Sequence, residues 1–93
     1  MLTKVKGSSM EPTYKEGDWL FASRLFYHLF KPKLGDVVVL DHPFRRILIV
    51  KRIKKITPAG IYVAGDNPLE SEDSASFGPL SRASLIAKVI FSY

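Results

Sequence analysis

Turn chemistry interrupts this sequence at every joint, and that punctuation is the tightest constraint on its fold. Gly17-Asp18, Lys31-Pro32-Lys33-Leu34-Gly35-Asp36, Asp41-His42-Pro43-Phe44, Thr57-Pro58-Ala59-Gly60 and Gly65-Asp66-Asn67-Pro68 carry the residues that turns require. The runs between them are short and apolar. Trp19-Leu20-Phe21-Ala22, Val37-Val38-Val39-Leu40, residues 45–56 and Ile61-Tyr62-Val63-Ala64 read as strands. In residues 84–93, Leu85, Ala87, Val89 and Phe91 alternate with Ile86, Lys88 and Ile90, the period of a strand. The expectation is a mostly β chain: a single compact domain of short antiparallel strands over residues 1–93, with at most a helical turn or two. Residues 69–79 read as a polar, acidic loop. Residues 24–30 leave two readings open, a helical face packed in the core or an exposed apolar flap that docks on peptide or membrane.

Composition removes several kinds of chemistry. The 93 residues include no cysteine, which excludes a disulfide framework, thiol catalysis and a cysteine-ligated metal. His28 and His42 are the only histidines, so a histidine triad or a zinc site has few parts. The net charge of +5 permits an acidic partner. Arg45, Arg46, Lys51, Arg52, Lys54 and Lys55 crowd together, but the interleaved aromatics of a nucleic-acid platform are missing there, and no nucleic-acid partner is expected. Lys4 and Lys6 leave no room for the apolar core of a signal peptide. Residues 19–30 are too short and interrupted to span a bilayer. The expectation is a soluble, cytoplasmic protein, with peripheral membrane contact as the alternative.

Two residues suggest catalysis. Ser9 lies in Gly7-Ser8-Ser9-Met10-Glu11-Pro12-Thr13, where small neighbours leave its hydroxyl accessible and Pro12 stiffens the adjoining chain. The same residues also suit an ordinary surface turn. Lys51 alternates with Ile47, Ile49 and Ile53 along its strand, which places it on a buried face. A buried lysine without a counter-charge favours its neutral form and can act as a base; alternatively, its ammonium reaches solvent at the strand end. Together, Ser9 and Lys51 suggest a Ser/Lys dyad that attacks an acyl carbon. Backbone N–H groups around Ser9 (Gly7, Ser8, Met10) are the candidates for holding the oxyanion.

In order along the chain, Gly7-x-Ser9-Met10-x-Pro12-Thr13, Gly17-Asp18, Gly35-Asp36-Val37-Val38-Val39, Lys51-Arg52 and Gly65-Asp66-Asn67-x-x-x-Ser71-x-Asp73-Ser74 resemble the successive motifs of type I signal peptidases, Ser/Lys endopeptidases with a mostly β catalytic core. The resemblance implies Ser9 as nucleophile, Lys51 as general base and Ser71 as the hydroxyl that orients the lysine. Met10 would shape the substrate cleft, and Asp66 and Asp73 would serve structure. Three departures accompany it. Gly7 stands where the membrane-embedded bacterial enzymes often carry a serine for the oxyanion hole. Ala75 replaces the arginine expected to pair with an aspartate. Neither the family's N-terminal membrane anchor nor its second β domain inserted between Lys51 and Gly65 is expected here.

With those absences, the chain is similar to the small soluble branch of nickel-type superoxide dismutase maturation proteases. It shares Asp41-His42-Pro43, Gly65-Asp66-Asn67-Pro68 and Phe77-Gly78-Pro79 with them. That resemblance implies a substrate, the precursor of a nickel superoxide dismutase, from which an N-terminal extension is removed, and a protease needing no metal or other cofactor. Two alternatives stand beside it. One is a signal-peptidase-like enzyme cleaving exported preproteins, recruited to a membrane by a partner or by residues 19–30. The other is the self-cleaving domain of a repressor, which requires a DNA-binding domain and a scissile bond upstream of Ser9.

Overall fold

A computed structural model describes residues 1–69 and 78–93. Its strands are β1 (Leu2–Lys4), β2 (Trp19–Ser23), β3 (Val37–Asp41), β4 (Leu48–Thr57), β5 (Gly60–Ala64) and β6 (Leu85–Ser92). They form one six-stranded sheet in the order β1-β2-β6-β3-β4-β5, and every pairing is antiparallel. A helical turn, α1 (Phe26–Leu29), follows β2, and a short 3-10 turn (Arg82–Ser84) precedes β6. The mostly β expectation holds.

The hydrophobic pattern explains why β3 lies inside the sheet. Its four apolar residues are all buried, so both faces must be covered. On one face Val37 and Val39 pack with Val5, Met10, Leu20, Ala22, Ala87 and Val89. On the other, Val38 and Leu40 pack with Tyr27, Ile53, Ile61, Val63, Leu80 and Leu85.

Several local expectations need correction. β4 begins at Leu48, not at residue 45, because the chain after Pro43 loops back and His42 N–H bonds Ile47 O at 3.0 Å. Ile47 therefore precedes the strand and is exposed rather than buried. Strand β1 went unrecognised; three residues are too few to show a period, and its evidence is the pairing of Leu2 with Phe21 and Lys4 with Trp19. In residues 24–30 the core-packing reading fails for Leu25, Leu29 and Phe30, which are exposed, while Tyr27 is buried instead.

So short a helix cannot persist by itself. It is held from outside: the Arg82 guanidinium donates to Tyr27 O and Phe30 O, the Tyr27 hydroxyl donates to Asp36 Oδ2 at 2.8 Å, and Lys88 sits 4.4 Å from the Phe26 ring centroid. Burial, helped by that bond to Asp36, raises the Tyr27 phenol above its ordinary value. Among the described residues, no helix is long and apolar enough to cross a membrane.

The β4–β5 hairpin depends on Gly60. Its φ is +142°, and a Cβ built there would lie 2.8 Å from Leu80 O and 3.0 Å from Pro79 Cβ. Ile61 and Leu80 exchange two 2.8 Å backbone bonds at this point, which joins Leu80 to the sheet. Gly60→Ala should therefore cost about 3 kcal/mol, from backbone strain and from displacement of this bridge. The check is a lower midpoint in denaturant unfolding with an unchanged slope.

Candidate active site

Ser9 follows a turn opened by Gly7, whose φ of +76° suits glycine and whose N–H donates to Glu16 Oε1 at 3.2 Å. The next residue, Met10, is 1% exposed and anchors the loop in the Val37/Val39 face of the core. Ser8 O accepts from Glu11 N–H at 3.1 Å and Met10 O from Tyr14 N–H at 2.9 Å, so local bonds shape the segment after the serine. The Glu11–Pro12 peptide is cis.

A distant segment fixes the loop. Asn67 donates its backbone N–H to Ser9 O at 2.9 Å and its side-chain amide to Ser8 O at 3.1 Å. The preceding residue, Asp66, accepts from Thr13 Oγ1 at 2.5 Å and from Arg52 Nε and Nη2 at 2.9 and 2.8 Å. Arg52 also donates Nη1 to Gly35 O at 2.8 Å. One guanidinium thus ties the Gly35 turn, strand β4 and the Asp66-Asn67 turn together, directly beside Lys51. Arg52 and Asn67 are positioning residues to which the sequence alone assigned no role; for Arg52, its place next to Lys51 was the available signal.

Arg52 holds the Asp66 carboxyl below the usual carboxylate range by its hydrogen bonds; burial works against this, and the Thr13 hydroxyl assists. Asp66 in turn raises the Arg52 guanidinium. With the folded-state pKa below that of an unfolded aspartate, about 3.9, the stabilisation is complete above the unfolded value. It is lost as pH falls through the folded one. Melting temperature should therefore fall on acidification below about pH 4 more steeply in the wild type than in Asp66→Asn. Thermal melts of both proteins across that range test this.

Lys51 is 4% exposed, in keeping with the burial expected from its alternation with Ile49 and Ile53. It pairs across the ladder with Val38 and so shares the face of Val38 and Ile53, whereas Met10 belongs to the opposite core cluster. The two faces meet at an open edge. Among the described residues, Leu48 to Val50 of β4 pair with β3 on one side and lie beyond the β5 ladder, whose register runs from Arg52 to Thr57. Beside this edge lies a cleft of about 640 Å³, lined by the chain from Thr3 to Met10, by Val39 and Arg45, and by Ile47 to Lys51.

The candidate nucleophile, the candidate base and all three oxyanion candidates (Gly7, Ser8, Met10) are therefore brought together. Ser71, Asp73 and Ala75, with their expected roles, lie outside the described residues.

Over residues 1–57, more than half of the chain, the sequence matches the family model described as signal peptidase, peptidase S26. The chain belongs to the S26 signal peptidase family. The matched span contains both Ser9 and Lys51. Among curated relatives, mitochondrial inner membrane protease subunit 1 of Homo sapiens is 27% identical over 106 aligned residues, covering 91% of this chain and 64% of the relative. The Xenopus tropicalis counterpart is 27% identical over 104 residues, covering 89% and 62%. Signal peptidase I of Bacillus licheniformis is 35% identical over 49 residues, covering 53% of this chain and 26% of that protein. The chain thus spans less than two thirds of the length of these relatives.

Proposed function

We propose that this chain is a serine endopeptidase in which Ser9 is the nucleophile and Lys51 the general base. One observation carries the reading: a half-buried loop serine and a buried lysine line the same cleft, in a chain of the S26 signal peptidase family. Among the described residues, Leu48 to Val50 of β4 lie beyond the β5 ladder, and an extended substrate can add beside them as a further strand. Neutral Lys51 takes the Ser9 hydroxyl proton as the oxygen attacks the scissile carbonyl carbon. The oxyanion is held by main-chain N–H groups around Ser9. The N–H of Gly7 is engaged by Glu16, so Gly7 contributes conformation and the donors come from residues after it. Lys51 returns the proton to the leaving amine, and the acyl-serine is then hydrolysed by water. Ser71 is assigned the orientation of the lysine amine.

For the substrate, the resemblance to the small maturation proteases leads us to infer the precursor of a nickel-type superoxide dismutase, with nickel as cargo of the product and no metal in the protease. A second reading, cleavage of exported preproteins at a membrane surface, is favoured by an exposed aromatic ladder. Phe21 stacks on Phe91 at 5.2 Å and Phe91 on Tyr93 at 5.7 Å, and Trp19, Leu25, Leu29 and Phe30 are exposed as well. The test is incubation of the purified chain with each precursor, free or on vesicles, with the new N-terminus read by mass spectrometry. A defined new terminus on the dismutase precursor without vesicles supports the first reading. Cleavage confined to vesicle-bound preprotein supports the second.

A further inference from the structure

Between Leu40 and Lys51 a single residue is buried, and it is a histidine that the proposed chemistry does not use. His42 is 5% exposed, whereas Asp41 and residues 43–48 are all exposed. It stands at the base of the β3–β4 hairpin. Its main-chain N–H donates to Ile47 O at 3.0 Å, and its Nδ1 accepts the Phe44 N–H at 3.1 Å. A ring nitrogen that accepts carries no proton, so the imidazole proton is on Nε2. The Phe44 ring meets the imidazole edge-on, with the centroids 6.2 Å apart. His42 makes a further interaction beyond these, and among the described residues no buried side-chain nitrogen or oxygen lacks a partner.

The chain that this clasp closes also lines the cleft, through Arg45 and Ile47 to Val50. No other side chain from residue 41 to residue 48 is buried, so the core grips the hairpin through His42. Lys51 is held by separate means. It pairs with Val38 across the ladder, the next residue is clamped by Asp66 and Gly35 O, and Ile53 N–H donates to Asp36 O at 2.8 Å. One anchor thus serves the candidate base and another the cleft wall that precedes it. Given the peptidase reading above, we infer that His42 is a positioning residue for substrate binding. By accepting the Phe44 N–H, it holds the hairpin in the shape that an extended peptide meets beside Leu48 to Val50.

The experiment measures binding and turnover separately. Binding of a fluorescein-labelled peptide spanning the precursor junction is read by anisotropy in the Ser9→Ala background, and kcat and KM are read with Ser9 in place. His42→Leu keeps an apolar plug but offers no acceptor. The hairpin then spends less time in the binding-competent shape, and the apparent Kd should rise in proportion, by about tenfold, with kcat nearly unchanged. His42→Asn should restore most of the affinity, because a carboxamide oxygen accepts from the N–H two residues on in an Asx turn. Hydrogen exchange at the Phe44 amide should be slow in the wild type and in His42→Asn, and fast in His42→Leu. Gly60→Ala strains the other β4 hairpin without lining the cleft, so the folded variant should keep the wild-type Kd.

Equal loss of affinity in His42→Asn and His42→Leu overturns the inference, because the cause is then the missing ring or its other contact rather than the bond to Phe44. An unchanged Kd in His42→Leu overturns it too, as does a fall in kcat as large as the rise in KM. A Kd raised equally by Gly60→Ala assigns the effect to stability and overturns it as well. Peptides bound with the expected pattern across the variants but never cleaved count against the peptidase reading and support the positioning role.

Discussion

Lys51→Ala and Ser9→Ala should each reduce precursor cleavage by a factor on the order of 10⁴ or more, because nucleophile and base act as a unit. The double variant should be scarcely slower than either single one. Lys51→Arg should be equally inactive, since a guanidinium stays protonated and cannot accept the Ser9 proton. None of these changes should unfold the protein. Ser9 makes its backbone bond to Asn67 through a carbonyl that alanine keeps. Lys51 lies between Ile49 and Ile53, where a smaller neutral side chain removes a buried amine as well as its contacts. Cleavage rates of purified variants, with circular dichroism to monitor the fold, give the answer. Activity retained in Lys51→Ala would remove the dyad.

The second large effect concerns the clamp rather than the chemistry. Asp66→Ala removes the acceptor of two Arg52 bonds and of the Thr13 hydroxyl at once. Hydrogen bonds to charged groups contribute up to about 3 kcal/mol, but the Arg52 side chain is 26% exposed and water will replace part of the loss. A net cost of about 2 kcal/mol is expected. Arg52→Ala should cost a similar amount, and the double variant much less than the sum, because the two residues share one interaction.

Activity should fall further than stability. Asp66 sets the turn from which Asn67 reaches the carbonyls of Ser8 and Ser9, and displacement of a nucleophile by an ångström costs about a hundredfold in rate. Asn67→Ala isolates that contribution. It should lower kcat much more than it lowers the unfolding midpoint, a split that loss of fold alone would not produce.

The sequence carried much of this where the physics is local. Turn residues and period-two alternation located β2, β3, β5 and β6 to within a residue or two. The same alternation put Lys51 on a buried face before any contact was known. What could not be read depends on partners far along the chain. The bond of Asn67 to Ser8 spans 59 positions, and no pattern in either segment announces it. The cleft likewise exists because β5 stops pairing at Arg52 and leaves the start of β4 open, a consequence of register rather than composition. In residues 24–30, Arg82 and Asp36 decide the orientation of the helical turn from outside it, so Tyr27 turned inward where periodicity offered Leu25 and Leu29.

The absence of cysteine allows the role of Lys51 to be tested on a single atom group. In Lys51→Cys the new thiol is unique, so aminoethylation in denaturant followed by refolding rebuilds a lysine-like side chain with a sulfur in its stem. Lys51→Cys should be inactive, and the aminoethylated protein should regain cleavage at the wild-type site. Its pH–rate profile should also move towards acid, because the sulfur withdraws electron density from the amine and lowers its pKa. Full activity of the unmodified Lys51→Cys protein, or no recovery after modification that mass spectrometry shows to be complete, would contradict a lysine base at this position.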